Sequence, residues 1–221
     1  PCRLSVGRAA HALMEEHDVS FEFNSPAKSP TSPARYREVA IGHPAVEVLE
    51  VGGILHMRSL ETLEPMPERL LDRLVHWAQV RPEHTFIAAR DADGQWRRIS
   101  YAQMLEDVRA IAQSLLAYGL GAERPLAILS GNDIEHLQMA LGAMYAGIPY
   151  CPVSPAYSLL SQDFAKLRHV CDLLQPGLIF VSDAAVYQRA VHAVLPAGTP
   201  LVAVRGEMAG RPQVSFASLL E

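Results

Sequence analysis

The 221-residue sequence lacks the short motifs that mark most nucleotide-binding and hydrolytic sites. It has no G-x-x-x-x-G-K-[ST] loop, no G-x-G-x-x-G after a strand, no G-x-S-x-G elbow and no H-E-x-x-H pair. The nearest glycine pair, Gly119 and Gly121, follows a helical pattern, where glycine commonly ends a helix. The residue pattern therefore identifies no catalytic group and no metal-ligand set.

Cysteine, long apolar runs and excess basic charge are also missing. The three cysteines, Cys2, Cys151 and Cys171, form no C-x-x-C pair, which argues against a disulfide framework or a zinc site. No apolar run reaches about 18 residues, so no membrane span is expected. The formal charge of −5 argues against a nucleic-acid or anionic-membrane surface. These absences predict a cytoplasmic protein without nucleic-acid or membrane partners.

The first 37 residues differ in composition from the rest of the chain. The stretch FNSPAKSPTSPARYR (23–37) has repeated Ser-Pro or Thr-Ser-Pro steps and almost no apolar residue, so it cannot bury enough surface to offset its ordering entropy. We therefore predict a disordered or weakly ordered extension over 1–37, in which 6–17 has the pattern of a short helix.

A β-hairpin is predicted within residues 38–64. The apolar stretches AVEVLEV (45–51) and ILHMRS (54–59) flank Gly52-Gly53, and two glycines at a two-residue turn both tolerate positive φ. A second hairpin is predicted from strands 85–90 and 95–100 around Asp93-Gly94.

Residues 65–221 alternate between helical and strand patterns. Ser100 is predicted to cap a long helix, with Gln103 completing a capping box and Gly119 ending the helix. Such alternation predicts an α/β fold with a mostly parallel βαβ sheet. Beyond the second hairpin and its helix, the predicted strands are 125–129, 148–153, 177–181 and 200–204; the predicted helices are 68–80, 133–146, 161–174 and 184–195. The chain stops at Glu221 as a new element begins, so truncation is expected.

Ser130 and Asn132 follow the strand 125–129, where open α/β sheets place their ligand crevice. Asn132 has two interpretations. With Glu135 three residues later it fits a capping box at the start of the next helix, and it also fits a ligand contact at the crevice edge. The nearby small residues are interpreted as packing this helix flat on the sheet; they are Ala140, Gly142, Ala143, Ala146 and Gly147.

The remaining charged and titratable candidates have structural alternatives. Lys166, Arg168 and Arg189 would steer an anionic ligand or simply form solvated helix faces. The histidines His76, His136 and His169 have no neighbouring ligand set, so each is interpreted as a satisfied surface or half-buried side chain, and Cys171 as core packing.

The order of these elements resembles the N-terminal portion of the AMP-forming acyl-CoA synthetase and adenylate-forming superfamily. ISYAQML (99–105) is similar to its Thr/Ser-Tyr-x-Glu-Leu motif, with Gln103 and Met104 in place of Glu and Leu. LGAMYAGIPYCPVSP (141–155) is similar to Leu-x-Ala-Gly-x-x-Tyr-x-Pro, and FASLLE (216–221) resembles the segment before the phosphate-binding loop. Within the superfamily, AILSGNDIEH (127–136) and PVSPAYSLLSQDFAKLRH (152–169) look closest to feruloyl-CoA synthetase.

The resemblance implies an ATP-dependent ligase that uses Mg²⁺ and coenzyme A and acts on a small-molecule carboxylate. It places Ser130 and Asn132 at the crevice edge and makes CoA the anion that Arg189 would steer. The family's Thr/Ser/Gly-rich loop ending in Pro-Lys, its ribose-binding Asp and its catalytic Lys have no counterpart here, so no catalytic residue carries over and these residues alone are expected to be inactive.

Two alternatives remain open at this point. One is a non-catalytic binding or scaffold module derived from the half-domain, and the other is an unrelated flavodoxin-like nucleotide binder. A sheet that ends early would leave an edge and a face uncovered, which predicts self-association.

Overall fold

The computed structural model of the chain describes residues 45–63 and 65–221. The chain divides into two units, Pro1–Met66 and Pro67–Glu221, which are described separately. The predicted extension over 1–37, with its helical pattern at 6–17, lies outside the described residues.

The first unit contains the predicted hairpin. Strand β1 (Val46–Val51) pairs antiparallel with β2 (Ile54–Ser59), and Gly52 and Gly53 turn the chain with φ of 61° and 77°. Two consecutive positive φ values are the requirement of a type I′ turn, which matches the twist of the strands it joins. The prediction of this hairpin is confirmed.

The second unit begins with a shorter helix than predicted. Helix α1 spans Asp72–Val80, not 68–80, because the backbone N–H of Arg69 donates to the Asp72 carboxylate at 3.2 Å and holds the preceding residues in a turn. The strands β3 (Thr85–Arg90) and β4 (Trp96–Ser100) form the second hairpin.

The loop between β3 and β4 is longer than the two residues Asp93-Gly94. It spans Asp91 to Gln95, where the Asp91 carboxylate accepts from the backbone N–H groups of Asp93 at 3.1 Å and Gln95 at 2.7 Å. The N–H of Gly94 also donates to the Asp91 carbonyl at 3.1 Å. A side-chain acceptor at the first loop position therefore organises the connection, as Asp commonly does in turns.

The rest of the second unit is a parallel α/β sheet. Its five strands are β5 (Leu126–Leu129), β6 (Tyr150–Pro152), β7 (Leu178–Asp183), β8 (Leu201–Arg205) and β9 (Gln213–Ser215), in the order β6-β5-β7-β8-β9 and all parallel. The helices are α2 (Tyr101–Ala117), α3 (Ile134–Tyr145), α4 (Pro155–Leu159), α5 (Ala165–Leu174) and α6 (Ala184–Val194), and a 3-10 helix covers Phe216–Leu219. The predicted fold class is confirmed.

Strand β7 shows why the sheet is stable. Leu178 and Phe180 belong to a core with residues of α2 and α3, and the alternate residues Ile179 and Val181 belong to a second core with residues of α5 and α6. Because side chains alternate across a strand, a continuous apolar run is the pattern of a strand covered on both faces. The expectation of an uncovered sheet face is therefore wrong for the central strands.

Gly142 is the clearest correction within α3. A Cβ at this position would lie 2.5 Å from Cγ2 of Ile111 on α2. The glycine therefore allows α3 to pack closely against helix α2, and not against the sheet as predicted. Ala140 and Ala143 do pack in the sheet-facing core, as predicted. Gly147 has φ of 69° just after the helix end, which is the usual geometry of a C-terminal glycine cap.

The predicted helix 161–174 is divided into a loop and a shorter helix. Phe164 has φ of 55° and precedes α5, while the Ser161 hydroxyl accepts from its backbone N–H at 2.9 Å. The Asp163 carboxylate accepts from the Ala165 N–H at 3.1 Å and from the Ser161 hydroxyl at 3.0 Å, and these two hydrogen bonds lower the pKa of its carboxyl. Helix α4, which begins at Pro155, was not predicted.

None of the helices in the described residues is both long and apolar enough to cross a membrane.

Candidate functional site

The strand order reverses between β5 and β7, and we expect a ligand crevice at the carboxyl ends of these two strands. From β5 the chain crosses through α3 to β6 on one side, and from β7 it crosses through α6 to β8 on the other. Ligands of open α/β sheets bind outside the strand ends at such a reversal of order. Ser130 and Asn132, the predicted crevice residues, directly follow β5 and lie at this point.

Ser130 is buried and contacts His136 in the first turn of α3. The Ser130 hydroxyl donates to the Gly131 carbonyl at 3.3 Å, and Nδ1 of His136 lies 2.8 Å from Ser130 Oγ and 3.0 Å from the Gly131 oxygen. All three contacts are attractive when Nδ1 carries the proton and donates to both oxygens, so we assign that tautomer. Nε2 has no hydrogen-bond partner within the described residues.

Asn132 does not cap α3. The N-cap is Asp133, whose side chain makes no capping hydrogen bond, and Asn132 is exposed. The capping-box interpretation is therefore wrong: Glu135 forms an ion pair with Arg97 of β4 and does not reach back to the cap. The ligand-contact interpretation of Asn132 stays a prediction.

A buried polar network continues from this helix into α2. The Asp107 carboxylate accepts from Nε2 of Gln103 at 2.7 Å and from Nε2 of Gln138 at 2.6 Å, and Gln138 is 1% exposed. Its Oε1 has no partner in the described part of the chain. Together with the Arg97–Glu135 pair, this network ties β4, α2 and α3 together next to the crevice.

The end of β7 is already occupied by this chain's own charges. Asp183 caps α6 by accepting from the Val186 N–H at 3.1 Å, and its other oxygen accepts from Nε of Arg205 at 3.0 Å. Tyr187, one turn into α6, has its pKa raised by burial and by the nearby Asp133 charge. The Asp183 carboxylate is thus engaged both with the first turn of α6 and with Arg205.

Arg189 lies on α6, exposed, and clamps the loop before α5. Its Nη2 donates to the backbone and side-chain oxygens of Gln162 at 3.3 and 3.1 Å, and its Cζ lies 5.1 Å from the centre of the Phe164 ring. Lys166 and Arg168 are likewise exposed. Lys166 lies over the Tyr157 ring, and Arg168 donates to the Ala193 carbonyl. All three predicted anion-steering side chains thus have partners in the fold, but all three remain accessible.

Residue pattern alone missed the pairing of Ser130 with His136. The two are six positions apart and meet only because the strand, turn and helix fold back at that point. Within residues 45–63 and 65–221, no group of three His, Cys, Asp or Glu side chains is arranged to hold a metal ion.

Comparison with known proteins shows what this scaffold belongs to. The family model described as AMP-binding enzyme matches residues 74–214, from α1 to β9. The phenyloxazoline synthase MbtB of Mycolicibacterium paratuberculosis is 29% identical over 129 residues, covering 53% of this chain and 11% of the synthase. The luciferin 4-monooxygenase of Photinus pyralis is 26% identical over 84 residues, covering 38% of this chain and 14% of its own length.

Two solved structures share the fold. A putative long-chain fatty-acid CoA ligase from Rhodopseudomonas palustris superposes with a TM-score of 0.55 at 22% identity, over 68% of this chain and 36% of that one. A fatty acyl-adenylate ligase from L. pneumophila superposes with a TM-score of 0.50 at 18% identity, over 68% of this chain and 24% of that one. The chain spans well under half the length of each of these proteins.

Proposed function

This chain belongs to the AMP-binding enzyme family, and we propose that the protein containing it is an ATP-dependent, adenylate-forming acid–thiol ligase. The observation that carries the proposal is the family match over 74–214, which covers the first four strands of the parallel sheet and reaches into β9. The unrelated flavodoxin-like interpretation is thereby wrong, although the strand order β6-β5-β7-β8-β9 is the flavodoxin-like one.

The proposed reaction joins a carboxylic acid to coenzyme A through an acyl-adenylate. ATP, with Mg²⁺, supplies the α-phosphoryl group that the carboxylate oxygen attacks with release of pyrophosphate, and the CoA thiol then displaces AMP. Stabilising the charge on transferring phosphoryl groups requires fixed cations and backbone N–H donors.

The donor set of residues 45–63 and 65–221 does not fit a Mg²⁺-bound triphosphate. The sequence contains no glycine-rich phosphate loop, and the cation beside α6, Arg205, is already paired with Asp183. We therefore assign no phosphoryl-transfer role to this chain's residues, and we propose that the chain provides the scaffold without catalysing adenylation by itself. A non-catalytic scaffold module is likewise expected not to catalyse adenylation as this chain alone. The two proposals differ only in whether the complete gene product is a ligase.

Arg189 is the residue we propose for a CoA contact. It is exposed and its guanidinium is held over the Phe164 ring, so it presents a fixed cation to an anionic ligand. In the complete gene product, Arg189→Ala should raise the KM for CoA while leaving acid-dependent ATP–pyrophosphate exchange unchanged. Arg73→Ala, another exposed arginine, is the matched control. A loss of pyrophosphate exchange in Arg189→Ala would instead indicate damage to the scaffold.

The proposed acid is a phenylpropenoid such as ferulate, in a cytoplasmic enzyme. Its support is the likeness of AILSGNDIEH (127–136) and PVSPAYSLLSQDFAKLRH (152–169) to feruloyl-CoA synthetase stretches. In the test, the complete gene product is incubated with ATP, CoA and one acid at a time: ferulate, benzoate or a long-chain fatty acid. Thioester formation is measured by chromatography. Feruloyl-CoA as the main product supports the proposal. Turnover of the fatty acid alone overturns the ferulate assignment, and no thioester with any acid favours the scaffold module.

A further inference from the structure

Arg211 is a buried cation that the proposed ligase chemistry does not use. It lies in the connection from β8 to β9 and is only 7% exposed. Its Nη1 donates to the Thr199 carbonyl at 2.9 Å and its Nη2 to the Leu195 carbonyl at 3.0 Å, while Nε has no acceptor within the described residues. One of its donors is therefore buried without a partner.

No carboxylate in the described part of the chain forms an ion pair with Arg211. The ion pairs formed by the described residues join other side chains, and Arg211 is in none of them. Carbonyl oxygens satisfy its hydrogen bonds but carry only partial charge, and burial lowers the pKa of the guanidinium. A buried charge without an opposite charge is costly, and an anion that reached it would remove part of that cost.

An open depression of about 370 Å³ adjoins this side chain. Arg211 lines it together with Arg205, Gly206, Glu207, Gln213 and Ser215. Arg205 adds a second cation to the lining, and its Nε is paired with the Asp183 carboxylate. The volume is within the range of small-molecule pockets, about 300–1,000 Å³.

The wall of the depression is held in place by side-chain hydrogen bonds. Oε1 of Gln213 accepts from the Met208 N–H at 2.9 Å, and its Nε2 donates to the Gly206 carbonyl at 2.8 Å. Oε1 of Gln188 on α6 accepts from the Ala209 N–H at 3.0 Å. The loop is thus fixed without any ligand, so binding would not need to order it.

We propose that this depression binds a small oxyanion, a phosphate or a carboxylate, whose charge is attracted by the buried guanidinium of Arg211. Glu207 lines the same depression and forms no ion pair among the described residues, so its carboxylate repels the same ligand. The depression lies at the carboxyl ends of β8 and β9, and this proposal does not rest on the proposed ligase reaction.

The sharpest test is the exposed residue Glu207, because its substitution leaves the hydrogen bonds of the loop intact. Inorganic phosphate is titrated into the 221-residue chain by calorimetry at constant ionic strength, with potassium chloride as the nonspecific control. Glu207→Gln should tighten phosphate binding about two- to fivefold, the effect of one partly screened charge. The titration is repeated with acetate to show which oxyanion the site binds. Tighter binding of either anion by Glu207→Gln than by the wild-type chain supports the proposal.

Arg211→Met should weaken the binding at least tenfold, and Arg73→Met on the exposed face of α1 should not change it. Since Arg211 also anchors two backbone carbonyls, Arg211→Lys is included to retain the charge, and it should keep part of the affinity. Equal affinity in wild type, Glu207→Gln and Arg211→Lys, or no heat with either anion in any variant, overturns the proposal.

Discussion

Gly142 lies where α3 packs against α2, and its lack of a side chain is required there. In Gly142→Ala the new Cβ would meet Ile111 Cγ2 at 2.5 Å and Ile111 Cβ at 2.9 Å. Overpacking costs about 1–3 kcal/mol, against about 1 kcal/mol gained in helix propensity. We expect a net loss of about 1 kcal/mol in the free energy of unfolding, measured by urea denaturation.

Two further variants separate the clash from a general glycine effect. Gly198→Ala introduces a Cβ into open space and should change stability by less than about 0.5 kcal/mol. In the Ile111→Ala background, Gly142→Ala should become neutral or stabilising. Additive effects of the two substitutions would show that the helices do not pack as described.

Cys171 gives a pH-dependent prediction. Burial, and to a smaller extent the charges of Asp172 and Cys151, raises the pKa of its thiol from 9.0 to about 11. Between these two values the unfolded chain loses this proton and the folded chain keeps it, so stability should fall as pH rises from about 9 towards 11. The fall should be smaller in Cys171→Ala, as measured by denaturant titrations across this pH range; an identical pH slope would contradict the assignment.

The reactivity of the thiols follows from the same burial. Cys151 is half-buried and Cys171 is buried, so brief alkylation with iodoacetamide at pH 8 should modify Cys151 first. Peptide mass spectrometry measures the two sites separately, and preferential labelling of Cys171 would be inconsistent with the core around α5.

Single residues were the hardest level to predict from sequence. The position of Ser130 and Asn132 at the carboxyl end of a central strand follows from pattern alone, because helix–strand alternation determines where parallel strands end. The contact of Ser130 with His136, the ion pair of Glu135 with Arg97 and the stacking of Arg189 on Phe164 depend on tertiary packing. None of these contacts has a local spacing signal.

Helix α2 offers a prediction for a single element. Ser100 Oγ accepts from the Gln103 N–H at 3.2 Å, so Ser100→Ala should cost about 1 kcal/mol. The Gln103 side chain bonds Asp107 and does not return to Ser100, so only half of the predicted capping box forms. Ser100→Asp, which keeps an acceptor, should retain most of the stability in thermal denaturation; equal loss in both variants would show that the cap is not the cause.

Element boundaries were predicted where the chain carries a local signal. Gly52-Gly53, Ser100 and Gly119 each mark a turn or helix end that the structure shows. The start of α1 at Asp72 and the loop at 161–164 depend on side-chain acceptors and on a non-glycine residue, Phe164, in the left-handed region. The left-handed region is disfavoured for a residue such as phenylalanine, so the sequence pattern predicts a helix that continues through Phe164.

For the molecule as a whole, the parallel order of elements determined the fold class. Only a few sheet topologies are possible when strands are buried on both faces and are joined by helices of ten or more residues. The rule that such crossovers are right-handed reduces their number further. The strand order at β5 and β7, and therefore the place of the crevice, was expected only in general terms.

The apolar surface of the hairpin predicts self-association. Leu55 and Met57 are 66% and 68% exposed on β2, and Val51 and Ile54 are also exposed at the turn. A two-stranded hairpin is marginal in water unless another surface covers it. Sedimentation velocity should show concentration-dependent oligomers that decrease in Leu55→Lys/Met57→Lys. The paired change Glu50→Lys/Arg73→Glu, at exposed charged sites, is the control.

A sharp monomer boundary at every concentration of the wild-type chain would contradict this prediction. The edge strands β6 and β9 of the described sheet would then also be excluded as association surfaces under those conditions.

We propose that this chain is the scaffold of an adenylate-forming ligase and does not itself supply the groups that move a phosphoryl group. The most direct test is ATP–pyrophosphate exchange by the purified 221-residue chain, with and without ferulate, after circular dichroism has shown it to be folded. We predict exchange no higher with ferulate than in the acid-free blank. Ferulate-dependent exchange by this chain alone would contradict the account.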